Sequence, residues 1–336
     1  MDVLYTLNDK FVPQVAAWIC SVCENNGRWE IDFHIISSWI VKENQEELKK
    51  LAEKYNNTLC VYELESLETY FDFKFDTNWW NPIVLARLLV DKILPKEINK
   101  LLYLDWDTIV RWSLRELWHT DMWKKTIWMS IEPTEDEVRK NNLWLHNYPY
   151  CNAWVLLINM ERFREIEAWN IIIDYYREHD WQLFANDQDA INASMKDEIY
   201  ILQPKYNFYN IFWQYPYRFM VKLMDNVSYF SKEEYMDSVN NPIIIHYLWE
   251  ERPRRAWNYH KYRDDYKKYL WMTIRKDTPD EKWWKLYFFC RYVFNFFMKP
   301  FPLFRYRIIN YLIPKFMEFR KNQLAKINLG RNKLSI

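Results

Sequence analysis

Short apolar runs alternate with amphipathic stretches along most of this chain, and that alternation leaves few architectures open to it. Residues 2–7 have an apolar strand pattern, and a helical pattern runs from Val12 to about Cys23. Glu30–Ile36 alternates and then runs apolar, as a buried strand does, and Asn44–Tyr55 is charged and helical. Leu59–Tyr62 is strand-like, Pro82–Leu94 helical, and Asn99–Leu104 a strand that stops at Asp105-Trp106-Asp107. Ala153–Asn159, Ala168–His179, Asp187–Met195 and Pro242–Tyr247 continue as strand, helix, short helix and strand. Strands separated by helices form a mostly parallel sheet with helices on both faces, so the expected class is α/β. Ligands of such sheets lie beyond the carboxyl ends of the strands, which directs attention to the residues after Leu7, Leu104 and Ile245.

The 336 residues hold only two glycines, Gly27 and Gly330, but twenty tryptophans. Average usage of about 7% predicts roughly 24 glycines. A glycine-rich phosphate loop is therefore absent, and Thr6-Leu7-Asn8-Asp9-Lys10-Phe11 after the first strand does not resemble one.

Lys and Arg (46) balance Asp and Glu (46), so no general attraction to nucleic acid is expected. The start lacks a basic segment followed by an apolar one, and no stretch approaches about twenty uninterrupted apolar residues; neither an export signal nor a bilayer span is expected. Five scattered cysteines fit a reducing, cytoplasmic setting. Cys20 and Cys23 form a CxxC inside a helical pattern, with no second pair at zinc spacing.

A boundary is expected at 277/278, separating a ligand-binding domain (1–277) from a tail (278–336). From Lys282 onward twelve Lys and Arg face the single acid Glu318, interleaved with aromatics from Trp283 to Phe319. Pro300 and Pro302 divide this helical tail into two amphipathic stretches suited to an anionic membrane surface.

Asp105 and Asp107 emerge together at a strand's carboxyl end, where two hard oxygen ligands can hold a divalent cation that neutralises a diphosphate. An isolated pair of this kind also serves as a turn cap. His246 ends the apolar run Ile243–Ile245 and offers a nitrogen ligand, while Arg252 follows with a cation suited to phosphate. Asn152 precedes a strand, and Asp187-Gln188-Asp189 opens a helix.

With these residues in place, the chain resembles glycosyltransferase family 8, the group of bacterial lipopolysaccharide galactosyl- and glucosyltransferases and the glycogenins. The resemblance covers roughly residues 1–275. It rests on residues 101–110 (LLYLDWDTIV), 150–159 (YCNAWVLLIN), 187–192 (DQDAIN), 202–207 (LQPKYN) and 246–249 (HYLW). It implies a single GT-A type nucleotide-diphospho-sugar transferase domain, in which Asp105, Asp107 and His246 bind Mn2+. It places Asn8 and Phe11 at the uracil, and Arg87, Asn152, Asp187 and Gln188 around the donor sugar. Gln188 would lie beneath the anomeric carbon, and transfer of a hexose from a UDP-sugar to a saccharide or glycolipid acceptor such as lipopolysaccharide would retain its configuration. The enzyme would work at the inner face of the cell membrane, held there by the tail.

Two departures stand out. The family's His-x-x-Gly before Lys-Pro-Trp reads here as His246-Tyr247-Leu248-Trp249 before Arg252-Pro253-Arg254, so Trp249 occupies a phosphate-facing position. Asn-Ala-Gly likewise reads Asn152-Ala153-Trp154. Trp39, Trp112 and Trp257 also stand where turns call for glycine. Replacement in one direction points to a UGA codon that its own lineage reads as glycine, with deliberate editing as the alternative; UGG at codons 112, 154 and 249 would exclude the translation error. If Trp154 and Trp249 are genuine, a non-catalytic membrane-bound scaffold is the competing reading. A sugar nucleotidyltransferase shares the sheet type but calls for the glycine-rich loop that is missing here.

Overall fold

The computed structural model describes residues 1–64, 69–71, 82–122, 124–133, 137–179, 183–248, 251–312 and 315. The expectation for Trp249 lies outside the described residues. The chain divides into two compact units, Met1–Glu281 and Lys282–Ile336.

Among its described residues the first unit has nine strands: β1 (Asp2–Leu7), β2 (Asp32–Ser37), β3 (Thr58–Glu63), β4 (Lys100–Leu104), β5 (Thr108–Val110), β6 (Ile127–Ile131), β7 (Cys151–Asn159), β8 (Ile199–Leu202) and β9 (Ile244–His246). Seven form one sheet in the order β3-β2-β1-β4-β7-β6-β8. β1, β2, β3 and β4 are mutually parallel, as are β6 and β8, while β7 runs antiparallel to both β4 and β6. The central strands are apolar on both faces because helices cover both; Leu101, Leu102, Tyr103 and Leu104 of β4 are all buried.

The remaining strands, β5 and β9, pair antiparallel with Thr108 opposite His246. The expected strand Pro242–Tyr247 thus shrinks to three residues and lies outside the main sheet. This small sheet positions the site, because it folds the end of β9 back over the turn that follows β4.

The first helix, Val12–Asn25, carries Pro13 in its first turn, where the missing N–H costs nothing. Cys20 and Cys23 are buried along it, and burial pushes the Cys23 thiol up to about 12. Cys23 accepts from Asn57 Nδ2 at 3.2 Å, so the pair packs as small apolar residues. The expected helix Pro82–Leu94 is a 3-10 helix over Pro82–Leu89 before one α-turn, Val90–Ile93. The stretch is mostly apolar, so periodicity does not distinguish the two.

Trp144 and Trp257 adopt left-handed backbone, at φ 56° and 69°. Trp144 follows the helix Glu137–Asn142 in a Schellman turn, with Leu145 N donating to Lys140 O (2.8 Å) and Trp144 N to Asn141 O (3.0 Å). Glycine ordinarily fills that position because a side chain there meets the neighbouring carbonyl.

In the second unit, the helix Lys285–Met298 and helical backbone over 302–312 are tied by Arg305, whose Nε and Nη2 donate to Asn295 Oδ1 at 3.0 and 2.9 Å. Leu286, Phe289, Tyr292, Phe296, Phe297, Phe301 and Phe304 are exposed. Among the described residues no helix is long and apolar enough to cross a membrane.

Candidate active site

The strand β4 ends at Asp105, and the chain turns through Trp106 to Asp107 before entering β5. Asp105 caps this turn itself: one carboxylate oxygen accepts from Trp106 N at 2.9 Å, and its carbonyl accepts from Thr108 Oγ1 at 2.8 Å. Capping and ligation are therefore compatible, since the other carboxylate oxygen stays available.

His246 arrives from β9. Its register opposite Thr108, fixed by Tyr247 N donating to Asp107 O at 2.9 Å, brings the imidazole against Asp107. The ligand atoms of Asp105, Asp107 and His246 all lie within 4.8 Å of one another. His246 Nδ1 faces Asn207 Oδ1 at 2.9 Å, an acceptor, so Nδ1 carries the proton. Nε2 stands 3.0 Å from Asp107 Oδ1. Two acceptors at that distance require a proton or a cation between them, and an imidazole nitrogen with two carboxylates suits a hard or borderline divalent ion.

Burial, followed by the neighbouring Asp107, pushes the Asp105 carboxyl up to about 6. Asp107 resists the same burial and is held below the ordinary carboxylate range by His246 and Arg252. Arg252 Nε stands 3.5 Å from Asp107 Oδ2, with its guanidinium 4.4 Å from the centre of the Trp106 ring. Trp106 stacks in turn on Phe11 at 4.0 Å. Asn8, expected at a base, accepts from Lys10 N at 3.2 Å and caps the turn Asp9–Phe11.

The second group of expected residues assembles beside the first. Asp187, at the start of the helix Asp187–Ser194, pairs with Arg87 Nε at 2.7 Å, both side chains nearly inaccessible. Arg87 also donates to Ala153 O at 2.6 Å and lies over the Tyr103 ring. Burial raises the Asp187 carboxyl, and Arg87 opposes that rise. Gln188 is locked at both ends: Oε1 accepts from Ala153 N at 2.9 Å, and Nε2 donates to Tyr150 OH at 3.1 Å.

Asn152 joins the two groups. It is fully buried, donates to Glu132 Oε2 (3.1 Å), and accepts from Trp154 N (3.1 Å) and Asn207 Nδ2 (2.9 Å). Asn152 therefore orients Asn207, and Asn207 orients His246. Trp154 lies edge-on to the His246 ring at 4.9 Å. Tyr150, Arg139 and Asp189 form a further cluster behind Gln188, with Asp189 Oδ1 accepting from Tyr150 OH and Arg139 Nη2, both at 2.6 Å. Asn207 closes the 202–207 run on which the resemblance rested, yet nothing local marks its role. Tyr150 likewise opens the 150–159 run without any local mark of its role, and Arg139 carries no distinguishing signal in sequence.

Residues 2–260 match the sequence profile of "Glycosyl transferase family 8". The chain is 23% identical to General stress protein A of Bacillus subtilis, over 82% of this chain and 96% of that protein. It is 24% identical to a lipopolysaccharide 1,2-glucosyltransferase of Escherichia coli, over 84% and 81% respectively. Its fold is similar to that of the galactosyltransferase LgtC, solved with donor and acceptor sugar analogues, with a TM-score of 0.68 and 22% identity over 85% of this chain and 99% of that one. Strand order, site and profile agree on a GT-A type α/β enzyme, and the chain belongs to glycosyltransferase family 8.

Proposed function

We propose that this glycosyltransferase moves a hexose from a uridine diphosphate donor to a saccharide acceptor with retention, in a manganese-dependent reaction. The observation that carries the reading is the convergence of Asp105, Asp107 and His246 at the carboxyl ends of β4 and β9, with ligand atoms within 4.8 Å. A divalent cation held by these three residues would offset charge developing on the leaving diphosphate. Arg252 adds a fixed cation on the same side, and Trp106 and Phe11 supply aromatic surface for the base.

The Arg87–Asp187 pair and Gln188 form the floor for the donor sugar. A carboxamide is a poor nucleophile, and Gln188 is held rigidly by Ala153 and Tyr150, so it supports no covalent sugar intermediate. Retention then calls for acceptor attack from the face that the diphosphate leaves, with Gln188 orienting and polarising the sugar. The named relatives support a lipopolysaccharide or other glycolipid acceptor. The exposed aromatic side chains of the second unit, with the basic residues among them, support attachment to the inner face of the cell membrane.

The test is a hydrolysis and binding screen over several nucleotide sugars, with and without manganese. Metal-dependent binding of uridine diphosphate and hydrolysis of a uridine-linked hexose are expected. Absence of metal-dependent nucleotide binding would remove the reading.

A further inference from the structure

Arg254 has no part in the site as derived above, although it stands within it. Its guanidinium lies 5.7 Å from the centre of the Trp106 ring and 5.8 Å from that of Phe11. Arg252 lies near the same indole, at 4.4 Å. Both arginines line a small cavity together with Asp107, Thr108 and Gln14. Two guanidinia thus border one small cavity whose wall includes a candidate metal ligand.

Like charges so close, and largely withdrawn from water, repel unless an anion lies between them. The described carboxylates answer this only in part. Glu281 Oε1 meets Arg254 Nε at 2.9 Å, and Gln14, with its amide oxygen facing inward, accepts from an Arg254 terminal nitrogen at 2.8 Å. Asp107 is the carboxylate beside Arg252, at 3.5 Å, and a cation bound by Asp107 would compete for that charge. Burial and the nearby Arg252 both work against the charged form of Arg254, with Glu281 opposing them. A guanidinium fixed at its Nε edge by Glu281 presents its remaining N–H donors as a preset fork, the geometry that matches phosphate oxygens.

We propose that Arg254 is a second phosphate-holding cation of this pocket, so that a nucleoside diphosphate is clasped between two guanidinia, Arg252 on the side of Asp107 and Arg254 on the side of Phe11. This rests on the uridine diphosphate reading above. It deepens that reading by giving the diphosphate a partner that does not depend on the metal. Part of the affinity for the diphosphate then survives chelation of the cation.

The experiment is calorimetric titration of the full chain, its R254Q and R254K variants and R252Q with uridine diphosphate, inorganic pyrophosphate and uridine, each with manganese and with chelator. R254Q is expected to weaken both phosphate ligands roughly ten- to hundredfold, under both conditions, while leaving uridine unchanged. R254K, which keeps the charge without the fork, should fall between. Thermal melts of the variants check that the fold is intact. Unchanged pyrophosphate binding by R254Q would overturn the proposal, as would a loss of uridine binding in the same proportion as uridine diphosphate. A chain that binds pyrophosphate through Arg254 but not uridine diphosphate would keep this inference and remove the donor reading. Uridine diphosphate bound equally well by R254Q would do the reverse.

Discussion

The carboxamide oxygen of Asn207 lies 2.9 Å from Nδ1 of His246, and both side chains are buried. This contact decides which imidazole nitrogen is free, because a proton held on Nδ1 leaves the Nε2 lone pair facing Asp105 and Asp107. Partners of this type typically contribute about 10- to 100-fold to metal affinity. Asn207→Ala is therefore expected to weaken manganese binding by roughly that factor, read by titration of the ion alone. His246→Ala should weaken it further. Unaltered manganese affinity in Asn207→Ala would show that the contact is only packing.

Asp105 makes stability depend on pH. A carboxyl whose folded-state pKa is raised penalises the fold wherever it is ionised. Asp105 is pushed up to about 6 from an ordinary 3.8 by burial and by Asp107. The cation-free protein should gain about 1.3 kcal/mol of stability through this group as pH falls from about 7 to about 5, out of about 3 kcal/mol in all once pH is below the ordinary carboxyl value. Asp105→Asn is neutral throughout and lacks that gain. Urea unfolding of both proteins at the two pH values measures the difference, and parallel responses would contradict the assignment. Manganese affinity should fall across the same window, because proton and cation compete for one carboxylate.

Much of this site was legible in the sequence because its parts are short and local. Asp105-Trp106-Asp107 follows directly from an apolar strand, and Asp187-Gln188-Asp189 opens a helix, so position relative to the sheet comes with the motif. What brings them together is non-local. The pairing of β5 with β9, which sets His246 opposite Thr108, depends on three residues at each end of a long separation. The apolar run Ala153–Asn159 shows that β7 is a strand but not that it runs against its neighbours. Asn207 and Tyr150 act through side-chain contacts to residues 39 and 38 positions away, a relationship that no spacing rule encodes.

The buried pair Arg87–Asp187 gives an asymmetric prediction. Removing one partner leaves a charge without compensation in a site that excludes water. Arg87→Met should thus cost about 3–5 kcal/mol, although the intact pair contributes little net stability. Asp187→Asn in the Arg87→Met background should recover much of that loss, because no charge is left stranded. Denaturant unfolding of the single and double variants tests this, and a double variant less stable than Arg87→Met would contradict it.

Trp144 and Trp257 hold left-handed backbone that a large side chain disfavours by roughly 1–2 kcal/mol. Trp144→Gly and Trp257→Gly are each expected to stabilise the protein by about 1 kcal/mol, measured by thermal unfolding. Trp144 is mostly exposed, so its replacement forfeits little packing. Destabilisation by Trp144→Gly would mean that the indole contributes more than the backbone strain costs. The same positions bear on the coding question, since a UGA codon at 144 or 257 is what a glycine reading requires and UGG would exclude it.

The second unit presents Phe289, Phe296 and Phe297 to solvent from the single helix Lys285–Met298. A helix in a packed core would bury such residues, and replacing exposed ones by serine should leave the fold's stability within about 0.5 kcal/mol. If the surface rests on a bilayer, the three rings enter the headgroup boundary while the tail's net charge of +11, twelve cations less Glu318, meets anionic lipid. Each basic residue close to the surface adds about 1 kcal/mol before screening reduces it. The triple variant F289S/F296S/F297S in the full chain should therefore lose at least about tenfold in affinity for vesicles containing anionic phospholipid. The wild-type chain should bind those vesicles at low ionic strength and be released as salt is raised, since screening removes the electrostatic share. Cosedimentation measures both, and equal binding by wild type and variant would exclude this aromatic face as the contact with the membrane.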